Sequence, residues 1–319
     1  MRIFYHDQFV LPLPEGHRFP MAKYARLRER VSADLELRHA RLEVGPSSPD
    51  DELLLAHDSD YVHRVANGSL TPAEVRRIGF PWSPGMVERS RRSVGSTVEA
   101  ARAALVDGVA VNLAGGTHHA FAARGQGFCV FNDVAVAARV AQRQEGIRRI
   151  VVLDCDVHQG NGTAAIFRAD PTVFTLSVHG ASNFPFEKET SDLDVALPDG
   201  TGDQPYLAEL EHALDVAFAS GPFDLAFYVS GADPYERDRL GKLDLSREGL
   251  ARRDALVFEK CLRSHVPVAV SMAGGYAKEI EDIVAIHLET VRQSMRFHES
   301  WSALGRRGSG LERTGVQSR

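Results

Sequence analysis

Six short apolar runs punctuate the chain: Arg2–Tyr5, Val109–Leu113, Ile150–Leu153, Val173–Val178, Leu225–Val229 and Val266–Met272. Short runs bounded by polar or glycine residues have the pattern of strands buried on both faces. Between them the period changes. Met86–Val106 places Val94, Val98, Ala101 and Leu105 on one stripe, and Val134–Gln144, Tyr206–Ala219 and Leu250–Arg263 also read as helices. Pro205 suits a first helical turn, and Gly221-Pro222 suits a stop. Alternating strands and helices predict an α/β fold, an open parallel sheet with helices on both faces. No repeat or low-complexity linker divides the chain. Residues 1–301 therefore read as a single domain, and residues 302–319, which include Gly305-Arg-Arg-Gly-Ser-Gly310, as a poorly ordered tail.

Composition narrows the class of protein. At 319 residues, 44% hydrophobic and 25% charged, the chain suits a soluble globular protein with a large core. A net charge of -6 supplies no basic field, which argues against nucleic acid as a direct partner. Three cysteines, Cys129, Cys155 and Cys261, have no C-x-x-C spacing, so neither a disulfide framework nor a thiolate zinc site is indicated. A reducing cytoplasm is the expected location. The start, MRIFYHDQF, lacks a signal-peptide pattern, and no run of about 18 uncharged apolar residues suggests a membrane span.

The chemistry concentrates where the apolar runs end. In VVLDCDVHQGNG, Asp154, Asp156 and His158 alternate with Leu153, Cys155 and Val157, so an extended chain would put the ionisable groups on one side. Ligands bind at the carboxyl ends of strands in open α/β sheets. Two carboxylates and an imidazole converging there call for a cation. Three other runs end in glycine-containing turns: AGGTHHAF with His118 and His119, SGADPY with Asp233, and AGGY with Tyr276. Each has an ordinary use when read alone, Asp-Pro as a turn and tyrosine as an edge aromatic. Their joint placement points to chemistry. Asp156, His158 and Asp233 form a three-ligand set with open positions, suited to zinc by default and also to Fe²⁺ or Co²⁺. Such an ion polarises a carbonyl and brings the pKa of bound water to about 7. His119 and His118 are candidate base and acid, Asp154 and Asn161 candidate partners orienting them, and the Tyr276 hydroxyl a candidate oxyanion donor. The set reads as metal-assisted amide hydrolysis.

GGTHHAF, GFCVFNDVAVAARV, LDCDVHQGNG, SGADPYERDRLGKL and AGGY resemble the zinc-dependent histone deacetylase family. They are most similar to its class IV branch and bacterial relatives, over about Pro14 to Val291. The resemblance implies an arginase/deacetylase fold and removal of acetyl or longer acyl groups from N-ε-acyl-lysine. It implies metal ligation by Asp156, His158 and Asp233, the base role for His119 beside His118, and the oxyanion role for Tyr276. Phe128 and Phe184 match the aromatic walls of an acyl-lysine tunnel, and Gly127 and Gly274 join the substrate-binding set. A structural K⁺ is implied near Asp154, Asp156, His158, Ser177 and Val178. Two departures stand out. Class I members carry aspartate at Asn161, so His119 should be less basic here, and Ser59 in HDSDY replaces an aspartate that grips the peptide, leaving Asp58 or Asp60 as substitutes.

Competing readings remain open at this stage. The substrate is an acyl-lysine protein or a small acylated amine, as in an acetylpolyamine deacetylase, since the acidic run Glu187–Asp194 could attract amines. A di-manganese ureohydrolase is disfavoured because no aspartate follows His158 by two residues. A non-catalytic acyl-lysine binder would have lost a ligand or the tyrosine, and neither is lost. Ala120 and Ala122 do not establish a deep tunnel for long acyl chains, and nothing marks an oligomer.

Overall fold

All seven pairings between neighbouring strands are parallel, so every strand delivers its carboxyl end to the same edge of the sheet. The computed structural model describes residues 1–312, with side chains described through residue 304. Its strands are β1 (Arg2–Tyr5), β2 (Arg41–Val44), β3 (Val109–Asn112), β4 (Ile150–Asp154), β5 (Val173–Gly180), β6 (Leu193–Leu197), β7 (Leu225–Ser230) and β8 (Val268–Met272). They lie in the order β2-β1-β3-β8-β7-β4-β5-β6. The helices are α1 (Lys23–Ala33), α2 (Asp50–Leu53), α3 (Ser59–Asn67), α4 (Pro72–Ile78), α5 (Pro84–Asp107), α6 (Asp133–Gln144), α7 (Asn161–Phe167), α8 (Asp203–Ala219), α9 (Arg247–Arg263) and α10 (Ile280–Glu312).

Alternation along the central strands divides the core in two. Val151 and Leu153 of β4, Tyr228 of β7 and Val268 and Val270 of β8 pack with α1, α8, α9 and α10 through Leu27, Leu210, Val257 and Val284. Ile150 and Val152 of β4, Phe227 of β7 and Ala269 of β8 face the other way, onto α3, α5 and α6 through Val62, Val94 and Val134. A sheet with both faces covered is the arrangement that near-continuous apolar strands demand. The six expected strands and four expected helices are present, with ends shifted by up to three residues.

The sheet edges depart from expectation. β2 is largely exposed and β6 alternates exposed and half-buried positions, so neither carries the apolar run by which the inner strands are recognised. β6 also absorbs the end of the acidic run. Asp192 accepts from the Thr175 backbone N–H at 2.8 Å, Asp194 accepts from Gln159 Nε2 at 2.9 Å, and Glu189 pairs with Arg168. At the other end, the expected boundary after residue 301 falls inside α10, whose described backbone continues to Glu312. Residues 313–319 of the expected tail lie outside the described residues. Among the described residues, no helix is long and apolar enough to cross a membrane.

Two residues of GFCVFND fix the loop that follows β3. Asn132 caps α6 by accepting from the Ala135 backbone N–H at 2.9 Å, and its amide donates to the Ala120 carbonyl at 3.0 Å. The buried Asp133 carboxylate accepts from the Gly116 and Thr117 backbone N–H groups at 3.1 and 2.7 Å. The histidine pair is thereby tied to the start of α6.

Candidate active site

β4 ends at Asp154, and the chain beyond it keeps the alternation expected of an extended segment: Cys155 and Val157 enter the core while Asp156 and His158 turn toward the site. Asp233 arrives from the end of neighbouring β7. Potential ligand atoms of Asp156, His158 and Asp233 all lie within 4.8 Å of one another, and all three residues are buried. His158 Nδ1 sits 2.9 Å from Asp156 Oδ1 and 3.2 Å from Asp233 Oδ2. Backbone N–H groups of His158 and Gly274 donate to the two Asp156 oxygens at 2.9 and 2.8 Å. Val157 N–H donates to Asp233 Oδ1 at 3.0 Å.

This donor set fits a divalent cation. Burial pulls the His158 imidazole down, but its bond to Asp156 and the nearby Asp233 carboxylate outweigh it and raise its pKa to about 10. Burial and the charge of Asp156 push Asp233 up to about 6. The cluster thus draws positive charge to itself, and a divalent ion would supply it in place of the protons. Close to these oxygens the chain has only backbone. A Cβ at Gly274 would lie 1.7 Å from Asp233 Oδ2, and one at Gly231 would lie 2.7 Å from Asp156 Oδ2. Two carboxylates and one imidazole suit Zn²⁺, Fe²⁺ or Co²⁺.

The tandem histidines have different partners and therefore different charges. His118 Nδ1 lies 2.6 Å from Asp154 Oδ2. Burial lowers its pKa, but Asp154 and Asp156 outweigh burial and raise it to about 9. His119 Nδ1 lies 2.8 Å from Asn161 Oδ1. Burial, followed by the charges of His118 and His158, holds that imidazole well below its usual value, with the Asn161 bond pulling weakly upward. An amide oxygen can only accept, so His119 carries its proton on Nδ1 and leaves the Nε2 lone pair free. Asn161 is the first residue of α7 rather than its cap, and the cap position, Gly160, makes no side-chain capping bond.

One cavity of about 440 Å³ joins these groups to the surface. His118, His119, Asp156, His158, Gly127, Phe128, Phe184, Gly274 and Tyr276 all line it. The Phe184 ring centroid is 5.0 Å from that of His119, and Phe128 is 6.0 Å from Tyr276. Gly127 has a φ of +57°, and a Cβ there would meet His119 Cδ2 at 2.8 Å, so only glycine fits between the histidine and the tunnel wall. Burial raises the Tyr276 hydroxyl well above its usual pKa, keeping it a donor.

Several supports escaped sequence reasoning. Asp238 Oδ2 accepts from the Tyr276 backbone N–H at 2.6 Å, and Arg239 donates to the Tyr276 carbonyl at 2.7 Å, so the DRLG segment holds the tyrosine. Arg253, fully buried, donates to the carbonyls of Cys155 and Gly231 at 3.2 and 2.6 Å, joining the two ligand-bearing loops from below. A charged pair Arg253-Asp254 in the middle of a helix was the available signal. Other candidates are not brought to the cavity. Asp60 pairs with Arg64 at 2.8 Å, Asp58 is exposed, and neither lines the cavity. The acidic run also stays away, leaving Asp156 as the only carboxylate in the lining among the described residues. Asp154 and Ser177 are register partners on β4 and β5, with Val178 next in sequence.

A family model described as Histone deacetylase domain matches residues 17–291. The chain belongs to the histone deacetylase family, and its sheet has the arginase/deacetylase fold. An uncharacterized protein of Picosynechococcus sp. is 47% identical over 286 residues, covering 89% of this chain and 95% of that protein. Histone deacetylase 2 of Arabidopsis thaliana is 29% identical over 296 residues, 90% of this chain and 76% of that one. The crystal structure of the HDA15 HD domain superposes with a TM-score of 0.76 at 21% identity, covering 98% of this chain and 100% of that one, a likeness of fold.

Two substitutions test the site. Gly274→Ala forces a methyl group onto Asp233 Oδ2, so divalent-metal content by elemental analysis should fall sharply while far-UV circular dichroism is retained; full occupancy would contradict the assigned ligand set. Asn161→Asp places a negative charge beside His119 and should raise its pKa. Because a base works only when neutral, the acid limb of kcat/KM should then move to higher pH, and an unmoved limb in a folded variant would contradict the pairing.

Proposed function

We propose that this chain hydrolyses the amide of N-ε-acyl-lysine, using a divalent ion, zinc by default, held by Asp156, His158 and Asp233. The observation that carries the reading is the meeting, around one cavity, of a buried Asp/His/Asp set, a neutral imidazole and a tyrosine hydroxyl. When bound, the ion polarises the acyl carbonyl and acidifies a water. His119, its ring held by Asn161, would accept the proton of the attacking water at Nε2. His118, charged by its bond to Asp154, keeps the neighbouring field positive and holds a proton for the departing amine. Tyr276 donates to the carbonyl oxygen as negative charge develops. Phe128, Phe184 and Gly127 enclose the lysine stem and keep bulk water from the amide.

The cavity lining favours a lysine side chain over a polyamine. Arg18, Arg76, Arg77 and Lys242 line it and are exposed, so the mouth would repel a substrate carrying several free amines. Three buried free thiols, Cys129, Cys155 and Cys261, support a reducing cytoplasmic location. A K⁺ behind the strand ends is supported by the burial of Asp154 next to Ser177.

Tyr276→Phe keeps the ring and deletes one donor. It should lower kcat on an acetyl-lysine peptide by about 10²- to 10³-fold with metal content unchanged, because such a donor acts mainly on the developing charge. A raised KM with intact kcat would instead make the hydroxyl a ground-state contact.

A further inference from the structure

The cavity does not stop at the catalytic groups. Its lining also includes Gly115 and Gly116 and the buried residues His6, Leu11, Tyr24, Met86, Arg89 and Ser93. Arg89, on α5, is only 9% exposed. Its guanidinium lies 4.6 Å above the Tyr24 ring, and Nη1 donates to the Phe9 carbonyl at 3.3 Å. Among the described residues it has no carboxylate partner. Asp7, the acid whose charge it feels, is engaged by Arg28 through two bonds of 3.0 and 2.9 Å. His6, which also lines the cavity, is 2% exposed, and among the described residues its Nε2 has no hydrogen-bond partner.

A buried guanidinium without a counter-ion is expensive unless something anionic reaches it. Here Arg89 lines the same cavity as the catalytic groups, and Leu11 and Met86 make part of that lining apolar. An aliphatic chain ending in a carboxylate matches that lining. We propose that Arg89 binds a carboxylate at the far end of the acyl group, so that the substrates include lysines acylated by short dicarboxylic acids such as succinate and glutarate. This specificity rests on the acyl-lysine hydrolysis proposed above. Water adds across the amide, the C–N bond breaks, a C–O bond forms at the carbonyl carbon, and the amine leaves with a proton. The products are lysine and a free dicarboxylate, with no other co-reactant.

The test compares kcat/KM of the zinc-loaded full chain on acetyl-, butyryl-, succinyl- and glutaryl-lysine forms of one peptide. Charge-assisted hydrogen bonds of this kind correspond to roughly 10- to 100-fold. The wild type should prefer the succinyl or glutaryl peptide over the butyryl peptide by at least about tenfold. Arg89→Gln should abolish that preference, and Arg89→Lys should restore part of it. If Arg89→Gln does not fold, inhibition of the wild type decides: succinate or glutarate should bind at least about tenfold more tightly than butyrate. A wild type that cleaves butyryl-lysine as well as both dicarboxylic forms overturns the proposal and leaves the acyl-lysine reading standing. An unchanged preference in Arg89→Gln overturns it too, as does inhibition by butyrate equal to that by the dicarboxylates. Failure on all four peptides overturns both readings.

Discussion

Three carboxylates, Asp154, Asp156 and Asp233, are buried at the ends of two adjacent parallel strands, and the surrounding structure is arranged to make that tolerable. Each carries charge or a shifted pKa that has to be answered within a few ångströms. His118 answers Asp154, His158 stands between Asp156 and Asp233, and backbone N–H groups of Val157, His158 and Gly274 point at the remaining oxygens. Beneath them Arg253 ties the carbonyls of Cys155 and Gly231 together, fixing the spacing of the loops that carry Asp156 and Asp233. A divalent ion held by Asp156, His158 and Asp233 would complete this balance.

The same electrostatics separates the two tandem histidines. They are adjacent in sequence and their ring centroids are 4.2 Å apart, yet one faces a carboxylate and the other a neutral amide. Asp154 keeps His118 protonated. That positive charge, together with burial, keeps His119 neutral and able to accept a proton. One amide in place of one carboxylate therefore shifts the pKa values of two otherwise similar side chains in opposite directions, the separation that the proposed acid-base roles need.

Much of this was legible in the sequence because the inner strands are short, apolar and followed at once by polar groups. Asp156, His158, Asp233, His118, His119 and Tyr276 are all found at the carboxyl edge where their strands were expected to end. Elements that touch only one neighbour were harder to see. β2 and β6 pair along one side, so their residues need not be apolar, and three acids of the run ending at Asp194, Asp192, Asp194 and Glu189, are engaged by Thr175, Gln159 and Arg168. Arg89 and Lys23 were invisible for another reason. Each is one charged residue among several on its helix, and only the fold reveals that Arg89 borders the cavity and that Lys23 is buried with its ammonium 5.6 Å from the centre of the Tyr276 ring.

The claim on which the account turns is that a single ion at Asp156, His158 and Asp233 makes the chain a hydrolase. Zinc titration of metal-stripped protein, read as hydrolysis of an acetyl-lysine peptide at protein concentrations well above the dissociation constant, measures this directly. The account predicts no turnover without metal and a linear rise that breaks at one equivalent. Turnover in the fully stripped protein, or a break at two equivalents, would contradict it.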